Sequence, residues 1–388
     1  MLRLLRRALA NSAGRVASAN LRAAADVSQA LTEVGEKPKA RRRSAAKPKA
    51  RKPKALKKPR KGLAETVTWI SAGGMPALPA AAPRKAGVPR GASFSRTTFS
   101  SDQGERSYKL YSPASARTSP GTPRYPPIPL VVMLHGCGQT PDDFAAGTRM
   151  NVLAEEFGLL VAYPCQPSEA NANRCWDWFN RNNQLRGSGE PALIAGIVRK
   201  IMGERPVDPA RIYVAGLSAG GSAANILGAT YPDLFAAVGV HSGLPVGAAQ
   251  NSASAFVAMR QGAPGDRPTT SVPTIIFHGD ADPVVHPRNG RFIAARALSA
   301  LPSLRKVECK GRSPGGRDYS VTTHRGKNGK PYCEHWVVEG SGHAWSGGHP
   351  SGSYTDPAGP NASREMLRFF LRHRVSARKR KLGGRLPG

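Results

Sequence analysis

A serine hydroxyl attacks a carbonyl at neutral pH only when a base takes its proton and an acid orients that base. Three stretches of this chain supply such groups. The first runs Ile212-Tyr213-Val214-Ala215-Gly216-Leu217-Ser218-Ala219-Gly220-Gly221, a β-branched apolar run that meets Gly-x-Ser-x-Gly and continues into an Ala-rich helical stretch. Small residues beside Ser218 let the backbone turn sharply from strand to helix and present the hydroxyl at the top of a sheet. The second, His278-Gly279-Asp280-Ala281-Asp282, follows the apolar run Ile275-Ile276-Phe277. Asp282 is favoured as the orienting acid over its competitor Asp280, and one of the two is expected to cap the turn. The third, Gly340-Ser341-Gly342-His343-Ala344-Trp345, follows Val337-Val338 and offers His343 as the base. Serine, acid, histidine is the chain order in which strand-end loops of an open α/β sheet deliver a catalytic triad.

The negative charge on the attacked oxygen needs two backbone donors. Ala219 supplies one, as the residue after the nucleophile. The second is expected at Gly136 or Cys137, in the glycine-rich loop Leu134-His135-Gly136-Cys137-Gly138-Gln139 after the strand at 130–134. His135 is expected beneath that loop as a structural, hydrogen-bonded group. Trp176, Trp178 and Trp345 are expected to line or buttress the acyl pocket, with core packing as the alternative. His-Glu-x-x-His, a phosphate-binding glycine loop and a carboxylate cluster are all missing, so neither a metal nor a nucleotide cofactor is implied.

The elements that must position these groups follow from hydropathy. Strands are expected at 106–111 (an edge strand), 130–134, 159–163, 211–215, 235–240, 274–277 and 336–338. Helices are expected near 142–157, 191–203, after Ser218, near 288–301 and near 361–373. Apolar strands alternating with helices specify an α/β fold, a mostly parallel sheet covered on both faces. The catalytic domain is placed at 93–374.

Charge divides the chain further. Of 57 Lys and Arg against 25 acids, residues 1–62 hold 19 basic and 3 acidic residues, half of the net +32. Residues 1–35 read as an amphipathic, Arg-rich leader, with Leu2, Leu5, Leu9, Ala13 and Val16 at helical spacing. It lacks the apolar core of a secretory signal. Residues 36–92 read as a disordered linker, with Lys-Pro-Lys-Ala recurring at 37–40, 47–50 and 52–55. Such a segment is either a polyanion- or granule-binding arm or a solubilising spacer. Residues 375–388 form a second basic tail. No run is apolar enough for a transmembrane helix. The five cysteines leave one odd: Cys309 could pair with Cys333, Cys137 could pair with Cys175, or all could stay reduced.

A linked set of motifs carries a resemblance. His135 to Thr140, Met150-Asn151, Ala162-Tyr163-Pro164, Cys175 to Phe179, Arg186-Gly187, Gly189 to Ala192 and Val214 to Gly221 come in that order. Tyr231 to Phe235, His241-Ser242-Gly243, His278-Gly279 with Asp282, and His343 to Gly348 continue it. Over about 95–372 the chain resembles the polyhydroxybutyrate (PHB) depolymerase family of esterases, itself similar to feruloyl and acetylxylan esterases. The resemblance implies an α/β-hydrolase fold, hydrolysis of carboxylic esters by Ser218, Asp282 and His343, and no cofactor. It implies polyester or plant-wall esters as substrates and an extracellular site of action. Without a visible secretory signal, a cytoplasmic or granule-associated location stays open. Cys137 and Cys175 fall in two of the motifs, which makes them a candidate bridge. The rival from another class is a granule- or polyanion-binding structural protein.

Overall fold

The computed structural model describes residues 87–116, 127–266, 271–299, 301 and 304–383. The leader expected at 1–35, and the linker expected at 36–92 up to residue 86, lie outside the described residues. The chain divides at Arg60 into two units, and every described residue belongs to the second.

The sheet is built from β1 (Ser93–Ser101), β2 (Gly104–Ser112), β3 (Ile128–Leu134), β4 (Leu160–Pro164), β5 (Val207–Leu217), β6 (Ala237–His241), β7 (Thr274–Gly279), β8 (Arg305–Arg312), β9 (Asp318–Arg325) and β10 (Pro331–Val338). They lie in the order β1-β2-β4-β3-β5-β6-β7-β10-β9-β8. The six from β4 to β10 are mutually parallel, and antiparallel pairs extend the sheet at both ends. This is the α/β-hydrolase fold expected from the sequence. The strand expected at 106–111 is part of β2, but it is not an edge. β1 covers it along its whole length, from Ser93 opposite Ser112 to Ser101 opposite Gly104.

The central strands are apolar because neither face meets water. Leu130, Val132 and Leu134 enter one buried cluster, and Val131 and Met133 enter the other. The first cluster is closed by α3 (Gly189–Glu204), α4 (Ala219–Thr230), α5 (Ser252–Gln261) and α6 (Arg288–Leu298). The second is closed by α1 (Pro141–Thr148), α2 (Met150–Phe157) and α7 (Ala362–Phe370).

The single helix expected near 142–157 is two. Thr140 caps α1, its hydroxyl accepting from Asp143 N at 3.2 Å, and Pro141 opens the first turn. Arg149 then adopts a left-handed conformation (φ 53°), ending α1 and starting α2. The basic C-terminal tail begins with α8 (Ala377–Gly383). It is anchored by Val375 N donating to Ala210 O at 2.9 Å.

Cys309 and Cys333 do not pair. Cys309 lies on β8 and Cys333 on β10, with β9 hydrogen-bonded between them, and both thiols are free. Cys137 and Cys175 form a disulfide.

Candidate active site

Ser218 sits between the end of β5 and the start of α4 with φ 58° and ψ −120°. The flanking glycines are required by close backbone approach. A Cβ at Gly216 would come 2.3 Å from Gly220 O, and one at Gly220 would come 2.2 Å from Leu134 O. The turn is pinned by Ser218 N donating to His241 O (2.8 Å) and Ser222 N donating to Ser218 O (2.9 Å). Helix geometry leaves the N–H groups of the first α4 turn, beginning with Ala219, without intrahelical acceptors.

The acid and base come from the loops after β7 and β10. Asp282 Oδ1 accepts from Val284 N and Val285 N, each at 2.9 Å, which aims Oδ2 at His343 Nδ1, 2.8 Å away. That leaves Nε2 as the ring nitrogen available to a hydroxyl. Burial pushes the Asp282 carboxyl up. The His343 hydrogen bond, the charges of His343 and His278, and the Val285 N–H outweigh it and hold the carboxyl low, at about 2. His278 lies below, with Nε2 donating to Val285 O at 2.8 Å and 3.6 Å from Asp282 Oδ2. Asp280 is turned elsewhere, its Oδ1 accepting from Gly340 N at 2.7 Å. Of the two aspartates, Asp282 is thus the one that meets His343 and that also caps its own turn through Val284 N and Val285 N, while Asp280 reaches across to the loop after β10.

The loop after β3 closes the other side. His135 is fully buried, with Nδ1 donating to Gly136 O (2.8 Å) and Nε2 accepting from Gln166 N (3.1 Å). Burial drives its pKa down to about 4, so it is a neutral structural group. Gly136 N–H is committed to Gln139 Oε1 at 2.9 Å. Cys137 N–H, by contrast, meets no acceptor among the described residues. The disulfide ties this loop to Cys175. Closing 38 residues of chain in this way removes about 4 kcal/mol of unfolded-state entropy on the loop-closure estimate.

Gly136, Cys137, Leu217, Ser218, His343 and Tyr354 line one cleft. None of the three tryptophans is among them. Trp176 is buried beneath the loop and donates from Nε1 to His135 O at 3.0 Å. Trp345 is buried against His241 and Phe144 and donates to Ser363 Oγ at 3.0 Å. Trp178 packs edge-on against Phe179 in the core. All three are core residues, of which Trp176 directly supports the loop after β3.

Sequence reasoning missed Tyr354, the hydrogen-bonded set Gln139, Asp143 and Ser353, and a buried carboxylate, Glu190. Glu190 Oε1 accepts from Gln166 Nε2 (2.6 Å) and Oε2 from Asp177 N (3.0 Å), beneath the loop that carries Cys175. Gln139 and Glu190 both lie inside quoted motifs, which was the available signal. Tyr354 sits in a Gly- and Ser-rich stretch that carries none. Among the described residues, no three His, Cys, Asp or Glu side chains gather as a metal site, and no helix is long and apolar enough to cross a membrane.

A family model described as esterase PHB depolymerase matches residues 106–301. The chain is similar to poly(3-hydroxyalkanoate) depolymerase C of Paucimonas lemoignei, 32% identical over 238 residues, 55% of this chain and 54% of that protein. It is similar to a probable acetylxylan esterase A of Aspergillus fumigatus, 29% identical over 217 residues, 50% of this chain and 54% of that protein. The chain thus spans about half the length of these curated relatives. In fold it resembles the acetyl xylan esterase of Aspergillus awamori, with TM-score 0.52 and 20% identity over 72% of this chain and 99% of that one. With the family match extending over half its length, the chain belongs to the esterase PHB depolymerase family.

Proposed function

We propose that this protein is a serine esterase whose substrates are esters of hydroxybutyrate and related hydroxyalkanoates. One observation carries the reading. Ser218, on a strained strand-to-helix turn, shares a cleft with His343, whose Nδ1 is held 2.8 Å from Asp282. In the proposed reaction His343 Nε2 takes the Ser218 proton as Oγ attacks the ester carbonyl. The Ala219 and Cys137 N–H groups donate to the oxyanion. Asp282 stabilises the imidazolium, which then gives its proton to the departing alcohol. Water, activated by the same imidazole, hydrolyses the acyl-enzyme and releases the acid.

The substrate class is supported by the similarity to a poly(3-hydroxyalkanoate) depolymerase. The comparable similarity to acetylxylan and feruloyl esterases supports a second reading, a plant-wall esterase. A role in binding granules or polyanions would belong to the basic residues 1–62 and could coexist with either. The test is hydrolysis of hydroxybutyrate oligomers, methyl ferulate and acetylated xylan, with Ser218→Ala as the blank. We expect preference for the oligomers and a fall of at least about 10⁴-fold in the variant. Preference for ferulate or acetyl esters selects the second reading, and full activity in Ser218→Ala removes both.

A further inference from the structure

The cleft has two facing sources of specificity. One is the Gly136–Cys137 backbone, and the other is Tyr354, which nothing so far gives a role. Tyr354 has φ 51°, a left-handed conformation that a non-glycine residue keeps only where its surroundings enforce it. The surroundings do so. Ser353 N donates to Asp143 Oδ1 at 2.8 Å, Ser353 Oγ donates to Asp143 Oδ2, and Tyr354 O accepts from Trp345 N at 2.6 Å. Gln139 completes the clamp. Its Nε2 donates to Asp143 Oδ2 (2.9 Å) and to Ser353 O (3.1 Å), while its Oε1 accepts from Gly136 N (2.9 Å). One buried glutamine therefore fixes the Tyr354 wall relative to the loop that carries the Cys137 N–H.

The phenol itself is not used in this clamp and has no hydrogen-bond partner among the described residues. Burial, and secondarily the Asp143 charge, push its pKa up, so the O–H stays neutral and able to donate. Tyr354 lines the same cleft as Ser218.

We infer that Tyr354 is a specificity-determining residue, its phenol donating to an oxygen that the substrate carries beyond the scissile carbonyl. In a hydroxyalkanoate chain that oxygen is the 3-hydroxyl or its ester. The inference rests on the serine-esterase reading and names the feature of the substrate that the same site selects. A plain alkanoate offers the phenol no partner and loses that hydrogen bond.

The test compares p-nitrophenyl 3-hydroxybutyrate with p-nitrophenyl butyrate, which differ by one hydroxyl, on the full chain and its Tyr354→Phe variant. Wild type should prefer the hydroxy ester in kcat/KM. Tyr354→Phe should lower the ratio of the two by about 3–10-fold, the size of one net hydrogen bond. A structural tyrosine would lower both substrates alike, and an unchanged ratio overturns the inference. Because the wild type must itself discriminate, an equal kcat/KM for the two esters overturns it without any variant. Persistent hydrolysis by Ser218→Ala would instead remove the esterase reading on which it rests.

Discussion

At the scale of single residues, the site is organised by backbone strain and by hydrogen bonds that leave each group one free direction. Ser218 occupies a region of backbone space that glycine reaches at little cost and other residues do not. Ser218→Gly should therefore raise the unfolding free energy by about 1 kcal/mol while abolishing hydrolysis. Ser218→Ala should abolish hydrolysis without that gain, since it keeps a Cβ at the same φ. Denaturant unfolding of the two variants measures the difference, and equal stability would show that the turn is unstrained. Asp282 illustrates the second device. Two backbone N–H groups fix one carboxylate oxygen and turn the other to His343, so the pair is set before any substrate arrives.

At the scale of elements, the loop carrying Cys175 is held by a carboxylate at the start of α3. Burial, and after it the nearby Asp177 charge, raise the Glu190 pKa from 4.5 to about 7 against the opposing pull of Arg106, Gln166 and the Asp177 N–H. The folded protein thus holds this proton more tightly than the unfolded chain does. The stability it contributes is fully present below pH 4.5 and is lost as pH rises through about 7, about 3 kcal/mol in all. Glu190→Gln should flatten that part of the pH dependence, so its stability relative to wild type should be greater at pH 8 than at pH 5. Chemical unfolding at the two pH values checks it, and a parallel loss in both proteins would contradict it.

Much at this scale was legible in the chain. The runs at 130–134, 159–163 and 274–277 are apolar on both faces, which only a covered parallel strand explains. The Gly-x-Ser-x-Gly turn and the Asp282 loop are local in sequence, so their geometry could be read from residue types. What could not be read is long-range or carries no hydrophobic period. β1 is mostly Ser and Thr, and β8 is a basic edge strand. The break between α1 and α2 rests on a left-handed arginine that no pattern announces. Gln139 and Ser353 meet across 214 residues, and only folding reveals that they join the two sides of the cleft. The tryptophans stayed open between pocket and core because an aromatic next to a functional motif can face either, and composition does not say which.

At the scale of the molecule, four loops converge at the carboxyl ends of parallel strands: after β3 the Cys137 N–H, after β5 Ser218, after β7 Asp282, and after β10 His343. The sheet covered on both faces by helices makes those strand ends a fixed frame, and the proposed chemistry rests on the groups those four loops carry. That claim is tested most directly by trapping the acyl-enzyme. The full chain, mixed with p-nitrophenyl 3-hydroxybutyrate and quenched in acid within the first turnovers, should gain the mass of one hydroxybutyryl group. Peptide mapping should place that mass on Ser218, with a matching burst of nitrophenol. A turnover-competent protein that carries the acyl group on another residue, or on none, would contradict the account.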